Sequence, residues 1–187
     1  MKVFAPRKIP LERLRAVSAH PRIRRQQLLR QAEGYLELGM PGHAIEVLDR
    51  WEPQDIPSSR AAYLRGEALR ELKRYAEAVV SLNLAAEGLP DEIPIYVALG
   101  WCFKRLARID LAIEALERGL AADPSAPILP YNLACYWSLA GNKRQALSLL
   151  SQAISMDADF RNLVDAEPDF DAIRDDPAFQ ALTSVIV

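Results

Sequence analysis

The sequence predicts an all-α chain, an α-solenoid of four helix-turn-helix repeats with an N-terminal arm and C-terminal capping helices. Three observations carry that prediction. Alanine recurs at Ala44, Ala78, Ala112 and Ala146, at equal intervals of 34 residues. Twelve residues before each alanine stands a small residue (Ala32, Gly66, Gly100, Ala134), and nine before it a large apolar one (Tyr35, Leu69, Phe103, Trp137). A leucine follows each by four: Leu48, Leu82, Leu116 and Leu150. Self-similarity at a fixed period of this length marks an array whose units cannot bury their own apolar faces and must stack on their neighbours.

The arm, residues 1–24, is punctuated by Pro6, Pro10 and Pro21, and LERLRAVSA after Pro10 is placed to form a short helix because proline is tolerated in a first turn. Residues 1–30 hold nine Lys and Arg against Glu12 alone, a net of +8. Such charge suits an anionic surface or nucleic acid, but no aromatic residues alternate with the arginines to stack on bases, which argues for a solvated arm. The first repeat, 25–58, turns at Gly39-Met40-Pro41-Gly42 and has its second helix from about His43 to Trp51. The second, 59–92, turns at Lys73-Arg74-Tyr75, and its helices show the three-and-four spacing of amphipathic packing. The third, 93–126, and the fourth, 127–158, are entered through proline-bearing loops, with Pro94 and Pro130 in the first helical turns and Asp91 as an N-cap. The fourth turns at Ala140-Gly141-Asn142 and has its second helix from Lys143 to Met156. The last stretch, 159–187, reads as an acidic cap: a short helix over 161–167, then a helix after Asp176-Pro177 with Phe179, Leu182 and Ile186 on one side. From Asp157 onward eight Asp and Glu face two Arg, a net of −6.

Gly100, Phe103, Ala112, Leu116 and Pro124, with Gly66, Ala78, Leu82, Ala85 and Pro90 one unit earlier, resemble the pattern of the tetratricopeptide repeat. The resemblance covers about residues 25–158. The outer units depart from it, with Ile56 and Ala158 where a closing proline is expected, and Gly119 replaces the small alanine of a second helix. The family implies a right-handed superhelix of paired helices with a concave groove, used mostly to hold peptide segments of other proteins. The stretch DAEPDFDAIRDDPAFQAL also resembles the closing segment of many bacterial members, which implies a bacterial, cytoplasmic source.

Half of the residues are apolar, yet none form an unbroken run long enough to span a membrane, and the N-terminus lacks the continuous apolar core of a secretory signal. A cytoplasmic location is expected. Cys102 and Cys135 are too few for a disulfide scaffold and lack zinc-ligand spacing. Asp157 and Asp159 resemble the start of a calcium loop, but Asn162 and Pro168 stand where its glycine and glutamate belong, so no metal or cofactor is expected. His20 and His43 sit at one end of the chain, far in sequence from either thiol, and no glycine-rich phosphate loop occurs. No catalytic residues are assigned.

The remaining expectation is a binding module, a scaffold, adaptor or chaperone. Trp101 and Phe103 lie roughly 200° apart around a helix axis, so with Phe103 in the core Trp101 faces the groove or a neighbouring helix. The column of Trp101 also holds Glu33 and Glu67; adjacent columns supply Tyr63, Val97 and Tyr131, then Arg30 and Asn132, then Arg70, Lys104 and Arg105 at the turn-proximal edge. Aromatics beside a basic rim suit a peptide with apolar anchors and acidic flanks. The alternative is self-assembly, with the basic end of one copy docked on the acidic end of the next.

Overall fold

The structure, a computed structural model, describes residues 21–51 and 58–184. The short helix expected in the arm, and Ile56 and Ile186, lie outside the described residues. The four repeats are the pairs α1 (Pro21–Glu37) and α2 (Pro41–Leu48), α3 (Ser59–Glu71) and α4 (Tyr75–Gly88), α5 (Ile93–Arg105) and α6 (Ile109–Ala122), and α7 (Ile128–Leu139) and α8 (Lys143–Met156). A short α9 (Phe160–Leu163), two 3₁₀ turns (Val164–Ala166 and Pro168–Ile173) and α10 (Pro177–Thr183) follow. There is no strand among the described residues.

The repeat columns explain the pairing. Ala44, Ala78, Ala112 and Ala146 are each 0% exposed, and the leucines four residues later are buried beside them. The small column receives those leucines: a Cβ on Gly66 would stand 2.6 Å from Leu82 Cγ, and one on Gly100 would stand 3.1 Å from Leu116 Cγ. Gly119 is small because Tyr96 fills its space, at 2.9 Å from an added Cβ. The Tyr96 hydroxyl donates to the Pro90 carbonyl at 2.7 Å and so fixes the loop between the second and third units.

The turn inside each unit closes in the same way. The left-handed residues are Gly39, Lys73, Ala107 and Gly141, with φ of 67°, 60°, 58° and 76°, spaced by the repeat period. In each, the next amide reaches back to the carbonyl of the large apolar column: Met40 to Tyr35 at 2.8 Å, and Arg74 to Leu69, Arg108 to Phe103 and Asn142 to Trp137 at 2.9 Å. This is the six-to-one bond of a Schellman motif, which satisfies carbonyls that a helix end leaves open. The column read as core therefore also anchors the turn.

Four boundaries differ from the sequence reading, one of them in the cap, where the helix expected over 161–167 is α9 (Phe160–Leu163) followed by the 3₁₀ turn Val164–Ala166. Residues 21–24, assigned to the arm, belong to α1. α2 starts at Pro41 rather than His43, because proline at the first helical position is pre-organised for the helix; it stops at Leu48, so Trp51 lies beyond it. Asp91 is not the N-cap of α5, a place taken by Glu92 in extended conformation without a side-chain cap bond.

Candidate functional site

Successive first helices touch one another (α1 with α3, α3 with α5, α5 with α7) and form one continuous wall. On that wall lies a cavity of about 400 Å³, lined by Tyr63, Glu67 and Arg70 of α3, Ile93, Pro94, Val97, Ala98 and Trp101 of α5, and Ile128 of α7. No second helix contributes a lining residue. Five of the residues assigned to the groove, Tyr63, Glu67, Arg70, Val97 and Trp101, meet there.

Trp101 serves two purposes at once. One edge packs on Tyr75 of α4, T-shaped with centroids 5.3 Å apart, and the guanidinium groups of Arg70 and Arg105 lie 5.4 and 5.8 Å from the indole centroid. The ring is thus held between a tyrosine and two cations, half-buried, while it also walls the cavity. Tyr75 was not foreseen; it begins α4, and Arg105 also stands 5.8 Å from its ring. Arg70 donates to Glu67 through Nε at 3.2 Å and Nη2 at 2.8 Å, which raises its pKa and fixes the guanidinium at the rim. Burial raises the Tyr63 pKa, so its hydroxyl enters the site protonated.

Other assigned residues stand elsewhere. Glu33 accepts from Arg60 at 2.8 Å, tying the first unit to the second. Arg30 is exposed on α1, outside the lining of this cavity, and Asn132 is half-buried on α7. Tyr131 is not a groove surface residue: it is 5% exposed, with its ring 4.8 Å from Phe160 and 6.0 Å, edge-on, from Phe170. The physical reason is that the C-terminal segment folds back over α7. Lys104 is taken up by the same segment, in a salt bridge to the buried Asp169 carboxylate, with its ammonium 5.9 Å from the Tyr136 ring.

Beneath that segment, ligand atoms of Cys135, Glu167 and Asp169 lie within 4.8 Å of one another. The chemistry of the set does not favour a metal ion, because the Lys104 ammonium already supplies the positive charge and burial pushes the Cys135 thiol well above its ordinary range. Cys102 is likewise fully buried, its thiol pushed up to about 11. His43 stacks on Tyr35 with centroids 5.3 Å apart, at the far end of the array from both thiols.

A family model described as the tetratricopeptide repeat matches residues 59–87 and 93–125, the second and third helix pairs. The first and fourth pairs keep the same register. The chain carries tetratricopeptide repeats. Among solved structures, this tetratricopeptide-repeat chain is similar to MamA, with a TM-score of 0.69 and 22% identity over 79% of this chain and 84% of that one. The MamA of Desulfovibrio magneticus RS-1 from residue 41 to its end gives 0.66 at 19% identity, covering 77% and 79%. A double mutant of RS-1 MamA gives 0.65 at 18% identity, covering 89% and 96%. Likeness at these identities shows the fold. No curated protein matches the sequence.

Proposed function

We propose that the chain is a non-catalytic interaction module that holds a segment of a partner protein in its concave groove, as a scaffold, adaptor or chaperone of the cytoplasm. The observation that carries this reading is the cavity built only by first helices and lined by the half-buried Trp101, Tyr63 and Arg70, with Tyr75 and Arg105 packed on the outer side of the tryptophan. Large aromatics and arginine supply most of the energy at protein interfaces, and a concave apolar seat with a few fixed polar groups is the usual form of a specific site. Apolar anchors with acidic flanks fit it. The buried, protonated thiols agree with a role without nucleophilic chemistry. Among the described residues no helix is long and apolar enough to cross a membrane.

The test is panning a random peptide library against the folded chain, with Trp101→Ala and Arg105→Glu as controls. Peptides that lose both controls while melting is unchanged support the groove. Peptides indifferent to both controls, or a selection that enriches none, count against it.

Head-to-tail self-assembly has less support. Asp169 and Asp176 at the acidic end are engaged within the chain by Lys104 and Lys143, the latter at 2.6 Å, and Asp171 is engaged by Arg174 at 2.9 Å. A mass that rises with concentration and falls with salt would favour assembly nonetheless.

A further inference from the structure

The chain carries a worked example of what its groove accepts. In the segment Glu167–Ile173, the Phe170 ring is fully buried against Tyr131, while the Asp169 carboxylate binds Lys104. This seat is made of three repeat columns: Tyr131 and Cys135 on α7, and Lys104 at the end of the preceding first helix. Subtracting one period of 34 residues gives Val97, Trp101 and Arg70. All three line the open cavity. The cavity is therefore the same seat one repeat earlier, without the segment that fills the later one.

The chemistry carries over with the register. An apolar floor at Val97 replaces Tyr131, the Trp101 indole replaces the Cys135 side chain, and a guanidinium replaces an ammonium as carboxylate receptor. Arg70 meets Glu67 through Nε and Nη2, and among the described residues its Nη1 makes no hydrogen bond, so a donor remains for an incoming carboxylate. Arg105, exposed beside Trp101, adds positive charge on the same side.

We propose that the open seat on α3 and α5 receives an Asp-Phe or Glu-Phe segment of a partner protein, in a 3₁₀ turn like that of Pro168–Ile173, its aromatic ring over Val97 and against Trp101, its carboxylate on Arg70. This rests on the groove reading above and gives it a ligand chemistry. The C-terminal segment is then both the cover of the last repeat and a tethered copy of the ligand class.

The probe is a labelled peptide of residues 165–175, DAEPDFDAIRD, titrated into the full chain by fluorescence anisotropy. Saturable one-to-one binding is expected, weakened at least tenfold by Phe170→Ala or Asp169→Lys in the peptide, and equally by Val97→Glu or Arg70→Ala in the protein. The peptide variants leave the protein untouched, so the test survives a protein variant that folds poorly. Lys104→Ala should leave the affinity of this site unchanged; binding seen only when Lys104→Ala has loosened the cap would be displacement of the tethered segment and overturns the proposal. No saturable binding to the full chain also overturns it. An apolar helical peptide that binds as tightly as the probe and is lost with Val97→Glu would keep the groove reading but sink the acidic-aromatic chemistry, whereas binding indifferent to Val97→Glu and Arg70→Ala sinks both. Dimerisation of the chain that Val97→Glu abolishes would assign the seat to a second copy and overturn the partner-segment proposal.

Discussion

Gly66→Ala puts the packing argument at most risk. A Cβ at this position would lie 2.6 Å from Leu82 Cγ and 2.7 Å from Cδ2, and Leu82 is 0% exposed, with no free space to swing into. Carbon atoms in contact sit about 3.5–4.0 Å apart, so α3 and α4 would have to separate by about 1 Å or push Leu82 off its rotamer. Overpacking of this kind costs about 1–3 kcal/mol, and the better helix propensity of alanine offsets about 1 kcal/mol of it. An overlap of this depth belongs in the upper part of the overpacking range, about 2–3 kcal/mol, so the expected net loss is about 1–2 kcal/mol, a fall in Tm of about 2–8 °C for a chain of this size. Gly100→Ala is the internal control. Its nearest contacts would be 3.1–3.3 Å, which neighbours can relieve by a few tenths of an ångström, so the propensity gain should nearly cancel the cost. Thermal and urea unfolding followed by far-UV circular dichroism measures both. A Gly66→Ala variant as stable as the parent, or a larger loss from Gly100→Ala, would refute the claim that this column sets the approach of the paired helices.

The opposite substitution should stabilise the turns: Ala107→Gly relieves a left-handed non-glycine residue at φ 58° and should raise stability by about 1 kcal/mol, with Lys73→Gly at φ 60° behaving alike. A drop in urea midpoint for both would contradict the turn assignment. Lys104→Met leaves the buried Asp169 carboxylate without its cation and should cost about 1.5–3 kcal/mol, seen as faster hydrogen exchange in residues 160–173 before the rest of the chain loosens. Unchanged exchange there would show that the salt bridge does not hold the cap. Removing residues 158–187 should expose the apolar edge of the fourth unit around Tyr131 and lead to aggregation or loss of helicity, measured by light scattering and circular dichroism; a soluble, equally stable truncation would make the tail a separate arm.

The repeat was legible because packing imposes it: Ala78 has no exposed surface and Leu82 fills the space above Gly66, so residues in these columns cannot drift without cost. The turns were only half legible. Gly39 and Gly141 announce a left-handed residue, but Lys73 and Ala107 adopt the same conformation with no sequence sign, because the Schellman bonds outweigh a local preference. Helical geometry puts Tyr63, Glu67, Arg70, Val97 and Trp101 in neighbouring columns, and they line one cavity, since spacing along a helix is a local property. Tyr131 belongs to the same column and was misjudged for a non-local reason: the segment that buries it comes from beyond α8. A cap over the fourth unit could be foreseen, but not that it would lie on the wall of first helices. The available signal was the series Phe160, Phe170 and Phe179 in the acidic tail, which needs an aromatic partner, and Tyr131 is the one it finds.

The central claim, that the concave wall of the second and third units is where a partner segment sits, is tested most directly by photo-crosslinking. A benzoylphenylalanine placed at Val97, on the cavity, and separately at the exposed Leu84 of α4, is irradiated with a library-selected peptide and the adducts are mapped by mass spectrometry. The account predicts adducts from position 97, suppressed by excess unlabelled peptide, and none above background from position 84. Adducts from position 84 alone would contradict it.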